Sequence, residues 1–502
     1  MPLLTTLRLT LATCAISVPL GVALAWLLTR TDLPGRRAGL GLLGLMLFVP
    51  LYLVAAAWQA GFGQQGWLGL AYGLPPLLEG WTGAVWIHAM AAVPWVVLIV
   101  GAGLRLLEPE LEEQALLDGS PGQVFRHVTL PGCLPAVAVA TLWVAITTAG
   151  EMTVTDLFAV RTYAEEIYTQ AVMQPDPQGL WRSLLPGMLG TVAVLATGLL
   201  LAARRMSHDR PLTLRRELTF PLGRARVPLT LAVVMVLILL AGVPLGNLLY
   251  KAGVLVAQTD AGRVRTWSPA KCLGMIAEAP WTARRELGAS LLVGGLAATA
   301  ATGTAIVLAW LARRRRGART LVLLLAAVCL ATPGPVLGLA VIALLNRPEI
   351  PGLVELYDHS ILAPWLALTI RSLPAALLVL WHGFRTVPQA VLDSAAVDGA
   401  GSVGQLLRIV LPLRWPTVVL AWLVALAVAL GDLAASILVV PPGLTTLSIH
   451  IFGLLHYGVE DQAAGICLAV IGLFAAVAAA ACWSSLPRET SVRSPAFRRN
   501  SA

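Results

Sequence analysis

From Glu113 to Pro135 the chain reads EQALLDGSPGQVFRHVTLPGCLP, and from Asp393 to Pro416 it reads DSAAVDGAGSVGQLLRIVLPLRWP. Both copies place an acid, Glu113 or Asp393, six residues before a glycine, Gly119 or Gly399, with Ala115 or Ala395 at the third position. Both then run through a short amphipathic stretch into Leu-Pro, at Leu130-Pro131 and Leu411-Pro412, with a second proline four residues on. A segment this irregular does not recur at matched spacing by chance, so the chain contains an internal repeat. As a physical object each copy predicts a helical turn or two, a backbone reversal at the glycine that a Cβ would strain, and a second short helix whose exit the proline fixes.

Working outward, composition places the repeat in a membrane. Of the 502 residues, 58% are hydrophobic and 12% charged, with a mean hydropathy of +0.80, which leaves too little polar surface to coat soluble domains. Apolar runs of about 20 residues, the length that crosses roughly 30 Å of hydrocarbon, occur near 3–28, 38–62, 81–104, 135–160, 184–203, 227–250, 287–312, 321–345, 361–381, 416–440 and 463–483. The expected fold is an all-α polytopic membrane protein with about eleven transmembrane helices in two parallel, pseudo-symmetric halves. The halves are read as residues 1–205 and 227–485, joined by a basic cytoplasmic linker, 206–226, and followed by a cytoplasmic tail, 486–502. Arginines of 204–226, the five of 313–319 and those of the tail put these segments in the cytoplasm by positive-inside logic. One segment disagrees, the basic stretch 251–286, which span parity puts outside. The net charge of +9 is accounted for by these loops and requires no nucleic-acid partner. The first run lacks a basic leader and is long enough to span.

The two halves align beyond the loops. Trp26 answers Trp310, Pro94 answers Pro374, Arg105 answers Arg385, and Gly150-Glu151 answers Gly431-Asp432. Six predicted spans separate the loops, so both emerge on one side and the repeat is parallel, unlike the inverted repeats of many secondary transporters. The run 227–250 has no counterpart in the first half. Either that half has five spans with its N-terminus outside, or the true start lies upstream and adds a twelfth span; the second reading is preferred.

The paired segments resemble the EAA loop of the membrane subunits of bacterial ABC importers, and nearly the whole chain resembles a fused double permease of the type I class. The first copy departs from that pattern in having Gln114 where alanine is usual and one residue fewer between glycine and proline. The resemblance implies that the two loops are coupling helices gripped by two copies of a separate ATPase subunit, that an extracytoplasmic solute-binding protein docks on the other face, and that the chain sits among the lipids of a bacterial inner membrane. The chain has two lysines, Lys251 and Lys271, neither in a P-loop context, so ATP is expected on the partner, with no cofactor or metal on this chain and no catalytic residue of its own. Two further stretches, Arg161 to Gln170 and Val439 to Gly458, are similar to ferric-iron permeases. Iron is therefore the expected cargo, with thiamine, polyamine or phosphonate as alternatives and an ion-coupled secondary transporter as the competing class.

Glu151 and Asp432 are the candidate pathway residues. Each lies 16 residues beyond the second loop proline, roughly 24 Å along a helix, in the outer part of the bilayer. Ionisable groups in spans are costly, so such a pair either lines a shared path or marks a helix end solvated at the interface; the second reading is favoured. His88 and Arg371 are read as lone polar contacts of the bundle, and Trp26, Trp81, Trp310 and Trp483 as interface belts. The six scattered cysteines carry no metal-site or disulfide spacing.

Overall fold

The computed structural model describes residues 2–173 and 219–485, apart from 106, 108, 260, 261, 458 and 459, together with a few positions between 189 and 198. The predicted span 184–203 lies almost wholly outside the described residues, as do 206–218 of the linker and the tail. Among the described residues six helices are long and apolar enough to cross a membrane, and up to nine if each bent pair is one span. The fold is all-α and polytopic, with one small hairpin.

The first half begins with α1 (Pro2–Arg30), α2 (Arg36–Met46), α3 (Leu51–Phe62), the short α4 (Trp67–Tyr72) and α5 (Gly80–Arg105). The first loop follows as α6 (Pro109–Asp118) and α7 (Pro121–Val124), then the π-helical turn Phe125–Thr129, then α8 (Leu130–Ala149), with α9 (Thr153–Leu157) and α10 (Tyr163–Met173) beyond it. The second half opens with α11 (Arg226–Leu237), a π-turn Ile238–Gly242 and α12 (Val243–Gly253), followed by the hairpin β1 (Val254–Thr259) and β2 (Gly262–Trp267) and by α13 (Pro269–Thr282). From there the order of the first half repeats: α14 (Arg284–Arg314), α15 (Arg316–Ala331), α16 (Gly334–Leu345), α17 (Leu353–His359) and α18 (Leu362–Arg385). The second loop is α19 (Gln389–Val397), α20 (Ser402–Gln405), the π-turn Leu406–Val410 and α21 (Leu411–Leu413), leading to α22 (Trp415–Gly431), α23 (Leu447–His456) and α24 (Glu460–Ser485).

Small residues build each half. Along α1 the buried positions Leu9, Thr13, Ser17, Gly21 and Ala25 recur every fourth residue, and a Cβ at Gly21 would meet Val96 of α5 at 2.5 Å. Along α14 the corresponding ridge is Ala297, Ala301, Ala305 and Ala309, facing α18. In lipid the hydrophobic effect does not drive helices together, so close backbone approach over small side chains does. In each half the first long helix packs on the central one and on the helix leaving the loop: α1 with α5 and α8, α14 with α18 and α22.

The predicted spans 38–62 and 321–345 are not straight. Each is bent by 103°, at Pro50 and at Pro333, which hold nearly identical extended geometry, φ −58°, ψ 148° and φ −59°, ψ 148°. Proline removes a donor and forces the residue before it out of the helical region, so the chain turns where the sequence reads as one apolar run. The predicted span 135–160 also shifts: the helix runs unbroken from Gly122 to Ala149 and ends before Glu151.

The basic segment 251–286 is folded and sits at the end of the bundle reached by α12, away from Arg313 and the loops at the far end of α14. Three of its basic residues are used locally. Lys251 Nζ donates to Gln65 O at 2.7 Å, Lys271 Nζ to Val254 O at 2.6 Å and to Asp461 at 3.2 Å, and Arg284 stacks on Trp281. Residues 219–222, the described end of the linker, are pinned to the end of α1, with Phe220 N–H donating to Arg30 O at 2.8 Å and Leu222 N–H to Asp32 Oδ1 at 2.9 Å.

Candidate functional site

At one end of the bundle the two loops stand at equivalent positions. Glu113 and Asp393 are exposed, Ala115 and Ala395 half-buried, and Leu117 and Val397 are 86% and 88% exposed, the most exposed large apolar side chains among the described residues. In both loops the five residues before Leu-Pro wind as a π-turn, with Leu130 N–H donating to Phe125 O and Leu411 N–H to Leu406 O. The third π-turn, Ile238–Gly242, precedes Val243-Pro244 in the same way. A proline ring collides with the carbonyl four residues back, and the wider turn relieves that collision.

The two glycines differ, against the sequence reading. Gly399 is left-handed, φ 86°, and closes α19 with a Schellman pair: Ala400 N–H donates to Ala395 O at 2.8 Å and Gly399 N–H to Ala396 O at 3.0 Å. Gly119 has no such conformation. Its turn is held by half of a capping box, in which Gln123 Oε1 accepts from Ser120 N–H at 2.8 Å and from Ser120 Oγ at 3.1 Å. The exits differ too. Pro412 is followed by an 82° bend at Arg414, whereas Pro131 and Pro135 sit inside the continuous helix from Gly122 and do not end it.

Trp26 and Trp310 are not belt residues. Trp310 is 5% exposed and donates from Nε1 to Ser402 Oγ of the second loop at 3.0 Å, and the Trp26 ring lies 4.8 Å from Phe125 of the first. Equivalent indoles thus wedge each loop against the first long helix of its half. Sequence reading also passed over Glu112. It is buried, contacts Arg30 Nη1 at 3.0 Å and accepts from Thr129 Oγ1 at 2.7 Å.

Deeper in the bundle lies a cavity of about 300 Å³ whose lining includes His88, Trp95, Trp143, Glu151, Arg371 and Asp432. The acids do mark helix ends, since α8 stops at Ala149 and α22 at Gly431, but they are not solvated at an interface. The Glu151 and Asp432 side chains are 15% and 7% exposed, and each meets a basic side chain of its own half, His88 or Arg371. Arg371 Nε donates to Asp432 Oδ2 at 2.9 Å and Nη1 to Thr332 O at 3.3 Å. His88 Nε2 lies 3.4 Å from Glu151 Oε2, with Nδ1 2.8 Å from Ala84 O, so the ring stands between the acid and the backbone of its own helix. Arg371 and His88 are therefore partners of the acids and not lone bundle contacts. Each carboxylate also fixes the backbone beyond the break: Glu151 accepts from Thr153 and Val154 N–H at 2.6 and 3.0 Å, and Asp432 from Ala435 N–H at 2.8 Å.

The breaks pack crosswise between halves. A Cβ at Gly431 would lie 3.4 Å from Pro50 Cβ, and one at Gly150 would lie 3.8 Å from Pro333 Cα. Tyr52, fully buried, donates from its hydroxyl towards Leu430 O at 3.5 Å. Further out, Asp156 of α9 meets His456 of α23 at 3.3 Å, again between halves. Among the described residues no group of three or more metal-ligating side chains gathers.

Residues 17–253 match the family model described as binding-protein-dependent transport system inner membrane component. Among curated proteins the chain is similar to the molybdenum transport system permease protein ModB of Haemophilus influenzae, 32% identical over 24% of this chain and 55% of that protein, and to ModB of Escherichia coli K12, 29% identical over 30% and 71%. It is also similar to the sulfate transport system permease protein CysT of Synechococcus elongatus, 32% identical over 25% of this chain and 46% of the relative. The chain thus spans about half to seven tenths of the length of these relatives.

Proposed function

We propose that the chain, whose residues 17–253 match the model for binding-protein-dependent transport system inner membrane components, is the membrane-spanning subunit of an ATP-driven importer in a bacterial cytoplasmic membrane, with both permease halves fused in one polypeptide. The observation that carries this reading is the pair of protruding loops, each an exposed helix, a turn, a π-turn and Leu-Pro, wedged by an equivalent tryptophan. Two copies of a separate ATPase dock on them, through Glu113, Ala115, Gly119, Leu130 and Pro131 of the first and Asp393, Ala395, Gly399, Leu411 and Pro412 of the second. A solute-binding protein delivers cargo to the opposite face. The chain hydrolyses no ATP itself. Glu151 and Asp432 guard the path: they hold the helix breaks above the cavity, and motion of α8 and α22 driven from the loops opens the contact.

Two cargo readings have support. Ferric iron rests on the stretches Arg161 to Gln170 and Val439 to Gly458; an oxyanion rests on relatives named for molybdenum and sulfate. The two acids, each beside a basic side chain, leave the cavity wall without a strong bias of sign, so selection falls mainly to the binding protein. The test is affinity purification of the tagged chain from its native membranes: an ATPase should co-purify, and hydrolysis should appear in the complex and not in the chain alone. Titrating the accompanying binding protein with ferric iron, molybdate and sulfate separates the cargo readings, with thiamine, polyamine and phosphonate as further ligands. Robust ATP hydrolysis by the isolated chain would refute the proposal.

A further inference from the structure

We propose that the two docking loops are mechanically inequivalent and that Glu112, held between Arg30 and Thr129, is the positioning residue that makes the first loop the stiffer one; this rests on the docking reading above. The carboxylate is 1% exposed and joins three helices. Oε2 meets Arg30 Nη1 at the end of α1 at 3.0 Å, and Oε1 accepts from Thr129 Oγ1 at 2.7 Å at the head of α8. Arg30 Nη2 in turn donates to Leu104 O, at the end of α5, at 2.5 Å. Arg30 is itself 4% exposed, with Nε lacking a hydrogen-bond partner. In so dry a setting a charge without its counterion is expensive, so the pair holds α6 to one place.

The second loop has the same outline and different chemistry. Leu392 stands where the first loop has Glu112, and Val410 where it has Thr129; both are buried. Arg313 reaches the carbonyl of Phe384, the counterpart of Leu104, and that of Val387 at 2.9 Å, and Gln389 Oε1 lies 3.4 Å from its Nη2. Gln405 Nε2 ties the second loop to itself, donating to Leu392 O at 3.3 Å and Ala400 O at 3.1 Å, but at the Glu112 and Thr129 positions its contacts are apolar; apolar contact is non-directional and tolerates sliding, whereas a buried ion pair does not. The helix behind each loop follows suit, continuous from Gly122 to Ala149 in the first half and bent by 82° at Arg414 in the second. A push on the first loop therefore passes straight to Gly150, and a push on the second passes through a joint. Glu112 and Glu113 divide the work, one turned inward to the clamp and the other exposed.

The test is amide hydrogen exchange read by mass spectrometry on the purified full chain in lipid nanodiscs. In the wild type, peptides covering 109–118 should exchange several-fold more slowly than those covering 389–397. Glu112→Leu should raise exchange of the first set to the level of the second or above and leave the second unchanged, and Glu112→Gln, which keeps an acceptor for Thr129, should fall between. The triple variant Arg30→Met/Glu112→Leu/Thr129→Val, which removes the buried charges of the clamp together, should recover thermal stability relative to Glu112→Leu while its first loop exchanges like the second. It carries the comparison if Glu112→Leu does not accumulate. Equal exchange of the two loops in the wild type, or a rise shared equally by both loops in the variants, would overturn the proposal. No ATPase enters this measurement, so its failure is distinct from failure of the docking reading, which co-purification tests.

Discussion

Replacing Arg371 by Met removes the cation that faces Asp432 and puts the cavity ion pair to a quantitative test. The Asp432 side chain is 7% exposed and accepts from Arg371 Nε at 2.9 Å and from Ala435 N–H at 2.8 Å. Stripping one partner from a buried pair costs about 3–5 kcal/mol, because the remaining charge is stranded; Arg371 is 18% exposed towards the cavity, which argues for the lower end, about 3 kcal/mol. Asp432→Asn strands the arginine instead and keeps an acceptor for Ala435 N–H, so its cost should be similar or smaller. The double variant strands neither group. It loses the pair and the bond from Arg371 to Thr332 O, worth about 1 kcal/mol net. Single losses of about 3 and about 2–3 kcal/mol against a double loss of about 1 kcal/mol give an expected non-additivity of about 4 kcal/mol, above the usual range for contacting residues. The assay is the thermal unfolding midpoint of each purified variant, followed by tryptophan fluorescence at a fixed scan rate. The double variant should melt closer to the wild type than the worse single variant does. A double variant that loses the sum of the two single losses would show that the groups do not interact and that each is separately solvated.

Three further outcomes follow from the same geometry. Glu151→Gln together with Asp432→Asn removes both carboxylates from the cavity wall and leaves the Arg371 cation there, so uptake of a cationic cargo should fall more than basal ATP hydrolysis, and an oxyanion should be spared or favoured; transport assays with each class of ion decide the sign. Gly399→Ala should cost about 1–2 kcal/mol at its left-handed position and weaken ATPase co-purification. Gly119→Ala, whose Cβ would meet Gln123 Oε1 at 3.3 Å and Ala115 O at an ordinary 3.5 Å, should cost less, by the small adjustment of Gln123. Pro412→Ala removes the reason for the π-turn, and return to regular winding should rotate the second loop by about 100°, which a cysteine cross-link from Val397→Cys to the co-purified ATPase should register as lost or moved.

Most of the architecture was legible because it repeats. The loops, the Trp26/Trp310 and Pro94/Pro374 correspondences and the two acids all come from laying one half on the other. What escaped depended on facts that a repeat does not carry. His88 lies six residues before Pro94 and Arg371 three before Pro374, so one helical turn of displacement concealed that both serve the same acid position. The different backbones of Gly119 and Gly399 could not be told from a matched motif, although Ser120-Pro121-Gly122-Gln123 is a readable capping box. Glu112 was masked by the motif acid beside it. The signal was present in Leu392 and Val410, since apolar residues at the equivalent positions announce a buried site. The bends at Pro50 and Pro333 were missed because an apolar run long enough to span does not disclose that a proline within it turns the chain.

The crosswise contacts make the two structural halves depend on one another. Gly150 ends the helix that leaves the first loop, and it rests against Pro333, the bend of the second half; Gly431 ends the helix that leaves the second loop, and it rests against Pro50, the bend of the first. Each helix is a rod of 17 or 20 residues, about 25–30 Å long, with a loop at one end and a foreign proline at the other. Arg371 closes the circuit in the second half, binding the acid of one break and, through Thr332 O, the chain just before Pro333. Displacing either rod therefore disturbs the bend of the opposite half, and with it the wall that carries the other acid. Two loops of unequal stiffness then act on one shared contact, and the stiffer one sets its position while the jointed one follows.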